Sequence, residues 1–305
     1  MINISKLYCD QVTPGDWPRY GKKGCGERSS DIVPKIASER RPIVVWNITR
    51  TCNLNCVHCY NDSGAGASNG ELDTRTARAV LDDLAGFGVP SVLFSGGEPL
   101  TRNDLFELIE CAGDKGLRTV ISTNGTLINK ETADRIRRAG VSYVGVSLDG
   151  IGEVNDKFRG TPGAFDRAVA GIKNCMAAGV RVGLRLTLTL QNVRDLEKLF
   201  DFFEAEGIER ACFYHLVPSG RGADIAAQRL SHQQSRRAID KILQRCKAFR
   251  ESGRVTDILT VDNHVDGVYV YRKLLEEDPE RAKEVWKLLT WNGGGLNSSG
   301  VGIGC

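Results

Sequence analysis

Apolar positions along this chain follow two alternating periods. Short aliphatic or aromatic runs at residues 43–48, 92–95, 119–122, 143–147, 182–188 and 210–214 are bounded by Gly, Pro, Asn or Asp and predict strands. Between them, apolar residues recur three and four apart, predicting helices around residues 74–87, 102–115, 130–139, 164–178 and 193–206. Leu105, Leu108, Ile109 and Ala112 form one such stripe behind Thr101 or Asn103 as the expected cap, and Val80, Leu81 and Leu84 form another behind Asp73. Both stripes are core. Strand and helix in strict turn predict a parallel sheet with crossover helices, and six strands are too few to close an eight-stranded barrel. The expected class is α/β: a partial (β/α)6 barrel over residues 42–225, after an N-terminal extension (1–41) and before a C-terminal helical region (226–305).

Parallel α/β sheets bind ligands at the carboxyl ends of their strands, and there the chain is unusual. The first strand runs into Cys52, Cys56 and Cys59, within Thr-Cys-Asn-Leu-Asn-Cys-Val-His-Cys-Tyr. The second ends in Ser95-Gly96-Gly97-Glu98-Pro99, the third in Ser122-Thr123-Asn124-Gly125 and the fourth in Ser147-Leu148-Asp149-Gly150. Singly, each of these three is an ordinary turn. Three thiolates at this spacing suit three corners of a cubic iron–sulfur cluster and leave a fourth iron open for chemistry. Structural zinc is the competing reading, but zinc takes four closed ligands, and His58, adjacent to Cys59, makes a strained fourth.

Composition narrows the setting. With 305 residues, 41% hydrophobic, the chain is long enough for a large core, and a net charge of +3 gives no sign of nucleic acid or a membrane surface as partner. No apolar run approaches the roughly 20 residues of a membrane span. The opening Met-Ile-Asn-Ile-Ser-Lys does not read as a signal peptide, so a cytoplasmic location is expected. In that setting ten cysteines are reduced thiols, not a disulfide framework. Cys111, Cys175, Cys212 and Cys246 fall in apolar or amphipathic segments and read as core, while Cys9, Cys25 and Cys305 lie outside such segments. The glycine-rich residues 64–70 read as a mobile loop.

The Cys-x3-Cys-x2-Cys run with its flat His58, the Gly-Gly-Glu-Pro turn and the Ser-Leu-Asp-Gly turn together resemble the radical S-adenosylmethionine (radical SAM) enzymes. The resemblance implies a 4Fe–4S cluster on Cys52, Cys56 and Cys59, whose open iron binds the amino and carboxylate groups of SAM. It implies that His58 lies near the adenine, that Gly96, Gly97, Glu98 and Pro99 receive the SAM ammonium, and that Ser147 contacts SAM. Arg159 matches the arginine that meets the SAM carboxylate, against a solvated surface charge as the alternative. Leu216 matches a residue closing over the adenine, with core packing as its alternative.

The opening Ile-Ser-Lys-Leu-Tyr-Cys and the stretches at 213–222 and 260–271 look like the haem-biosynthesis branch of these enzymes. That resemblance implies an iron tetrapyrrole substrate and a reducing donor of flavodoxin or ferredoxin type. The implied reaction removes two acetate arms from 12,18-didecarboxysirohaem to give iron-coproporphyrin III. Thr123, Arg185, Arg221, His215 and His264, the last beside Asn263 and Asp266, are candidates to meet substrate arms or iron; both histidines fit equally well as hydrogen-bonded structural groups. The branch continues into a cysteine-rich, SPASM- or twitch-like extension holding a second cluster, of which Cys305 is the expected first ligand, the extension being cut short there. Alternatives are haem d1 biosynthesis or coprohaem decarboxylation, a peptide- or sulfatase-modifying enzyme, and a non-catalytic iron–sulfur carrier. For the carrier, the Gly-Gly-Glu-Pro turn and Arg159 have no use.

Overall fold

A computed structural model of the chain describes residues 1–11, 41–66 and 70–290. Among them are the strands β1 (Ile2–Asn3), β2 (Val44–Asn47), β3 (Ser91–Ser95), β4 (Arg118–Thr123), β5 (Tyr143–Ser147), β6 (Val182–Leu188), β7 (Arg210–His215) and β8 (Asp257–Val261). They belong to two compact units. One comprises Arg41–Leu186 and Val217–Ala227; the other comprises Met1–Arg40, Thr187–Leu216 and Gln228–Cys305, as far as these are described. The units interleave along the chain where three consecutive segments were expected. The cause is at the start: Ile2 of β1 lies opposite Thr260 of β8 in an antiparallel pair, and Ser5 Oγ accepts from the Ile258 amide at 3.0 Å.

In the first of these units β2, β3, β4 and β5 pair in parallel order, and β5 pairs with the start of β6, placing Val44 opposite Val92, Val92 opposite Thr119, Val120 opposite Tyr143 and Val144 opposite Val182. Every residue of β3 is buried, as is all of β5 but its last, which is why these strands read as unbroken apolar runs. The helix Thr74–Phe87 starts at the expected cap: Asp73 Oδ1 accepts from the Thr76 amide at 2.7 Å. The helix Leu105–Asp114 buries its predicted stripe, but neither Thr101 nor Asn103 caps it. Thr101 turns its hydroxyl to the Glu98 carbonyl, and the cap position falls to Asp104, whose carboxylate is held by Arg102 (2.6 and 2.9 Å) and Thr74 (2.7 Å). A seven-residue helix, Glu153–Arg159, went unpredicted because it is too short to show a period. It sets Phe158 and Arg159 in the interior.

In the other unit β7 and β8 run parallel, with Arg210 opposite Asp257 and Tyr214 opposite Val261. β8 lies outside the six expected strands because Asp257 and Thr260 break its apolar pattern; all five residues are nonetheless buried. The Asp257 carboxylate is received by Arg210 and by Asn3 Nδ2. The expected helical region is seen in His232–Glu251, opened by a Ser231 and Gln234 capping box, Val265–Glu277 and Pro279–Thr290. Cys111, Cys175, Cys212, Cys246 and also Cys9 are buried, and burial pushes the Cys9 thiol up to about 11. Cys25, residues 67–69 of the glycine-rich loop, and Cys305 with its expected extension lie outside the described residues. No helix among the described residues is long and apolar enough to cross a membrane.

Candidate active site

The loop that leaves β2 carries the three cysteines, and its shape is fixed from three sides. Gly64 bridges Thr51, with the Cys52 amide donating to the Gly64 carbonyl at 2.8 Å. The Asn55 and Val57 amides donate to the carbonyls of Arg159 and Phe158, at the end of the helix Glu153–Arg159. There Gly160, at φ 63°, is required because a Cβ would stand 2.3 Å from the Asn55 carbonyl oxygen. The third side is Arg221. Its Nε donates to the Cys56 carbonyl, one terminal nitrogen to Asp62 and the other to the Ser63 carbonyl, each at 2.8 Å. Expected as a substrate contact, Arg221 thus has its guanidinium committed to the cysteine loop.

Each cysteine sulfur faces an N–H donor. Cys52 Sγ receives the Leu54 amide at 3.5 Å and Asn124 Nδ2 at 3.9 Å; Cys56 receives an Arg159 terminal nitrogen at 3.7 Å; Cys59 receives the Ser63 amide at 3.4 Å. Burial pushes the Cys52 thiol up to about 11, and burial raises Cys56 against the pull of Arg159. Among the described residues no three His, Cys, Asp or Glu side chains converge tightly enough to hold one metal ion. In a cubic cluster each thiolate binds its own iron, and N–H donors to the sulfurs are among the groups that set its potential.

Behind the cysteines lies a charged group that the sequence quoted without assigning. Asp149, fully buried after β5, pairs with a terminal nitrogen of Arg159 and stands 3.3 Å from His58 Nε2. His58 is packed edge-on against Phe158, its ring centroid 5.5 Å away, and burial lowers its pKa against the pull of Asp149. Burial thus favours the neutral ring, with Nε2 facing Asp149. Arg159 is buried at 8% exposure, which overturns its reading as a solvated surface charge. Two polar atoms here, His58 Nδ1 and Arg159 Nε, are buried with no hydrogen-bond partner among the described residues.

The turn after β3 packs on the same loop. The Gly97 amide donates to the Thr49 carbonyl at 2.7 Å and the Glu98 amide to the Thr51 carbonyl at 2.8 Å. A Cβ on Gly96 or Gly97 would fall 2.3 or 2.2 Å from those carbonyl oxygens, so the glycines admit the cysteine loop's own backbone. The Gly96 and Gly97 carbonyls accept no hydrogen bond among the described residues, whereas the Glu98 side chain is saturated. Its carboxylate accepts from Thr123 Oγ1 and the Asn124 amide, both at 2.7 Å, and from the Leu100 amide at 3.1 Å. Burial pushes Glu98 up to about 7 against these donors. Thr123, another expected substrate contact, is instead a brace: its hydroxyl donates to Glu98 and accepts the Gly125 amide.

Arg185 lies on β6 opposite Ser147, crosses over Gly145 and donates to Ser122 Oγ at 2.8 Å, so three neighbouring strands share one polar group. Pro99 opens a single 3-10 turn and is buried. Leu216, His215 and His264 belong to the other unit. There Leu216 is buried and His215 Nε2 meets Asp266 at 2.9 Å.

A model of the radical SAM superfamily matches residues 46–203. Over all 305 residues the chain is 53% identical to the Fe-coproporphyrin III synthase of Methanosarcina barkeri and spans 75% of that protein. It is 40% identical over 274 residues to the pre-heme d1 synthase of Dinoroseobacter shibae, covering 88% of this chain and 67% of the other. Among solved structures, Streptococcus suis SuiB bound to S-adenosylmethionine is similar with a TM-score of 0.62 at 19% identity, over 74% of this chain and 52% of that one. This last likeness shows the fold alone, the partial barrel expected from the strand pattern.

Proposed function

The chain belongs to the radical SAM superfamily, and from that premise we propose that it removes two acetate side chains from 12,18-didecarboxysirohaem to give iron-coproporphyrin III. One observation carries the substrate reading: the 53% identity to a Fe-coproporphyrin III synthase runs through the whole chain, including the stretches outside the barrel. As a radical SAM enzyme the protein works with a 4Fe–4S cluster and SAM. When bound, these supply the one-electron chemistry that lets a hydrogen atom be taken from an unactivated C–H bond, beyond the reach of acid and base side chains.

The residues present fit both groups. Cys52, Cys56 and Cys59 hold the cluster in this reading, with Leu54, Asn124, Arg159 and Ser63 donating to their sulfurs. The orphaned Arg159 Nε suits the SAM carboxylate and the unengaged Gly96 and Gly97 carbonyls suit its ammonium, which has only donors to offer. His58 Nδ1, an acceptor in the tautomer that Asp149 favours, suits a donor on the adenine. Ser147 and Arg185 present hydroxyl and cation at adjacent strand ends. Glu98, Thr123 and Arg221 shape the site through the hydrogen bonds they make within it. A flavodoxin or ferredoxin type donor, a cytoplasmic location and a second cluster beginning at Cys305 complete this reading.

The test is to incubate the anaerobically reconstituted protein with reductant, SAM and 12,18-didecarboxysirohaem and to weigh the tetrapyrrole. Loss of two acetate arms is expected. A product changed at its propionates points to the pre-haem d1 type of reaction or to coprohaem decarboxylation. Unaltered tetrapyrrole alongside free SAM cleavage, or modification of a peptide in its place, removes the substrate reading and leaves the superfamily.

A further inference from the structure

We propose that His215 is the protein ligand to the iron of the tetrapyrrole substrate, bonding it through Nδ1 while Asp266 holds Nε2. The inference rests on the proposed function, whose substrate carries iron, and it is read from one unit alone. His215 is the last residue of β7, and Asp266 sits in the first turn of the helix that follows β8. β7 and β8 are parallel neighbours, so both residues stand at the carboxyl ends of paired strands, where such sheets present ligand-binding groups.

The pair has the form of a prepared metal ligand. Asp266 is 3% exposed and accepts twice, from His215 at 2.9 Å through Oδ2 and from Asn263 Nδ2 at 2.8 Å through Oδ1. A carboxylate fixed in this way accepts a hydrogen bond from Nε2–H, which leaves the lone pair on Nδ1 and orients the ring. This carboxylate–histidine arrangement is what metal-bound histidines use to set tautomer and basicity. His215 is half-buried, and its Nδ1 has no partner among the described residues. The other three histidines differ: His58 has Nδ1 buried beside the cysteine loop, His232 is exposed at the start of its helix, and His264 is exposed at the N-cap of the helix Val265–Glu277. Ligation forms one Nδ1–iron bond from an existing lone pair, displaces at most a water and transfers no electron.

A structural histidine would not distinguish a macrocycle with iron from one without it. The full chain, with its cluster in place, is therefore titrated anaerobically with ferric iron-coproporphyrin III and with metal-free coproporphyrin III. His215→Ala is expected to weaken binding of the iron form about 10-fold or more, to leave the metal-free form within about twofold, and to lose the visible bands of nitrogen-ligated iron, which added imidazole restores. Asp266→Asn is expected to lower the iron–histidine stretching frequency, and His232→Ala to match the parent. Equal loss of both macrocycles, in His215→Ala and again in His215→Gln, makes the residue structural and overturns the proposal. So does an unchanged spectrum. If the parent binds iron-coproporphyrin III and only the His215 dependence is missing, the proposed function stands without this ligand. If the parent binds neither macrocycle, both fall.

Discussion

His58 and His215 each meet a buried aspartate through Nε2, at 3.3 Å to Asp149 and 2.9 Å to Asp266, yet the surroundings of the two pairs differ. Asp149 is shared with the Arg159 cation, and His58 is sealed against Phe158, so its ring is neutral and its free nitrogen is dry. Asp266 is braced by the neutral amide of Asn263, and the His215 side chain is 14% exposed against 11% for His58. The histidine–aspartate pairing thus shares its carboxylate with a cation in one unit and with an amide in the other. The charged pair nonetheless keeps Arg159 Nε and His58 Nδ1 without partners among the described residues, so both pairs leave a polar atom for a ligand to meet.

The contrast predicts unequal costs. Asp149→Ala strands the Arg159 charge in the interior and should cost about 3–5 kcal/mol. Asp266→Ala removes bonds to an imidazole and an amide and should cost about 1–3 kcal/mol. Anaerobic denaturant unfolding of both variants measures the difference, and a larger loss from Asp266→Ala would break the comparison.

Glu98 extends it to a buried carboxylate bonded only by neutral donors. Burial pushes it up to about 7, so between pH 4.5 and 7 the folded protein keeps a proton that the unfolded chain has released. Stability from this group is therefore present at low pH and lost as pH rises through that window, by about 3 kcal/mol in all. His58, held neutral, acts oppositely, losing stability as pH falls below its unfolded value. Unfolding at pH 5 and pH 8 should show a smaller drop in Glu98→Gln than in the parent; equal slopes would mean that Glu98 is ionised throughout.

What the sequence disclosed follows from the distance over which each feature acts. The cysteines were legible because their spacing is local, and the strands because their apolar runs are. Asp149 stood in view in the Ser-Leu-Asp-Gly turn, but its partners His58 and Arg159 come from a different loop and a different helix. The signal available was a carboxylate placed where an apolar strand ends. Arg221 reaches the Cys56 carbonyl across 165 positions, so nothing beside it in the chain announced a brace. Gly96 and Gly97, expected to receive the SAM ammonium, also make room for the backbone of residues 49–51, a contact that no local pattern announces. β8 escapes the apolar pattern because its Asp257 carboxylate is met by Asn3 and Arg210, both remote in sequence, while the Thr260 hydroxyl is buried with no partner among the described residues.

Arg159 allows the charged pair to be probed by ligand and not by stability alone. Arg159→Ala removes a charge-assisted contact to SAM worth about 1.5–3 kcal/mol, or about 10- to 100-fold in Kd. The cluster absorbance should persist, since the three thiolates remain. SAM binding at the parent affinity would confine Arg159 to its contacts with Asp149 and Cys56.

The smallest effect expected is at Asn263, and it is the most specific to the amide-braced pair. Asn263 Nδ2 donates to Asp266 Oδ1 at 2.8 Å and its Oδ1 accepts from the Val265 amide at 3.3 Å, so the side chain ties the aspartate to the turn that enters its helix. Asn263→Ala forfeits about 1 kcal/mol of hydrogen bonding, which for a chain of this size lowers Tm by roughly 2 °C. Asp266 keeps His215 as partner and no charge is stranded, so the loss should stay local and show as faster amide exchange at Val265 with little change elsewhere. If Asn263→Ala instead destabilised the protein as much as Asp149→Ala, the amide would be holding a group as demanding as a buried cation. The neutral pair would then be no looser than the charged one.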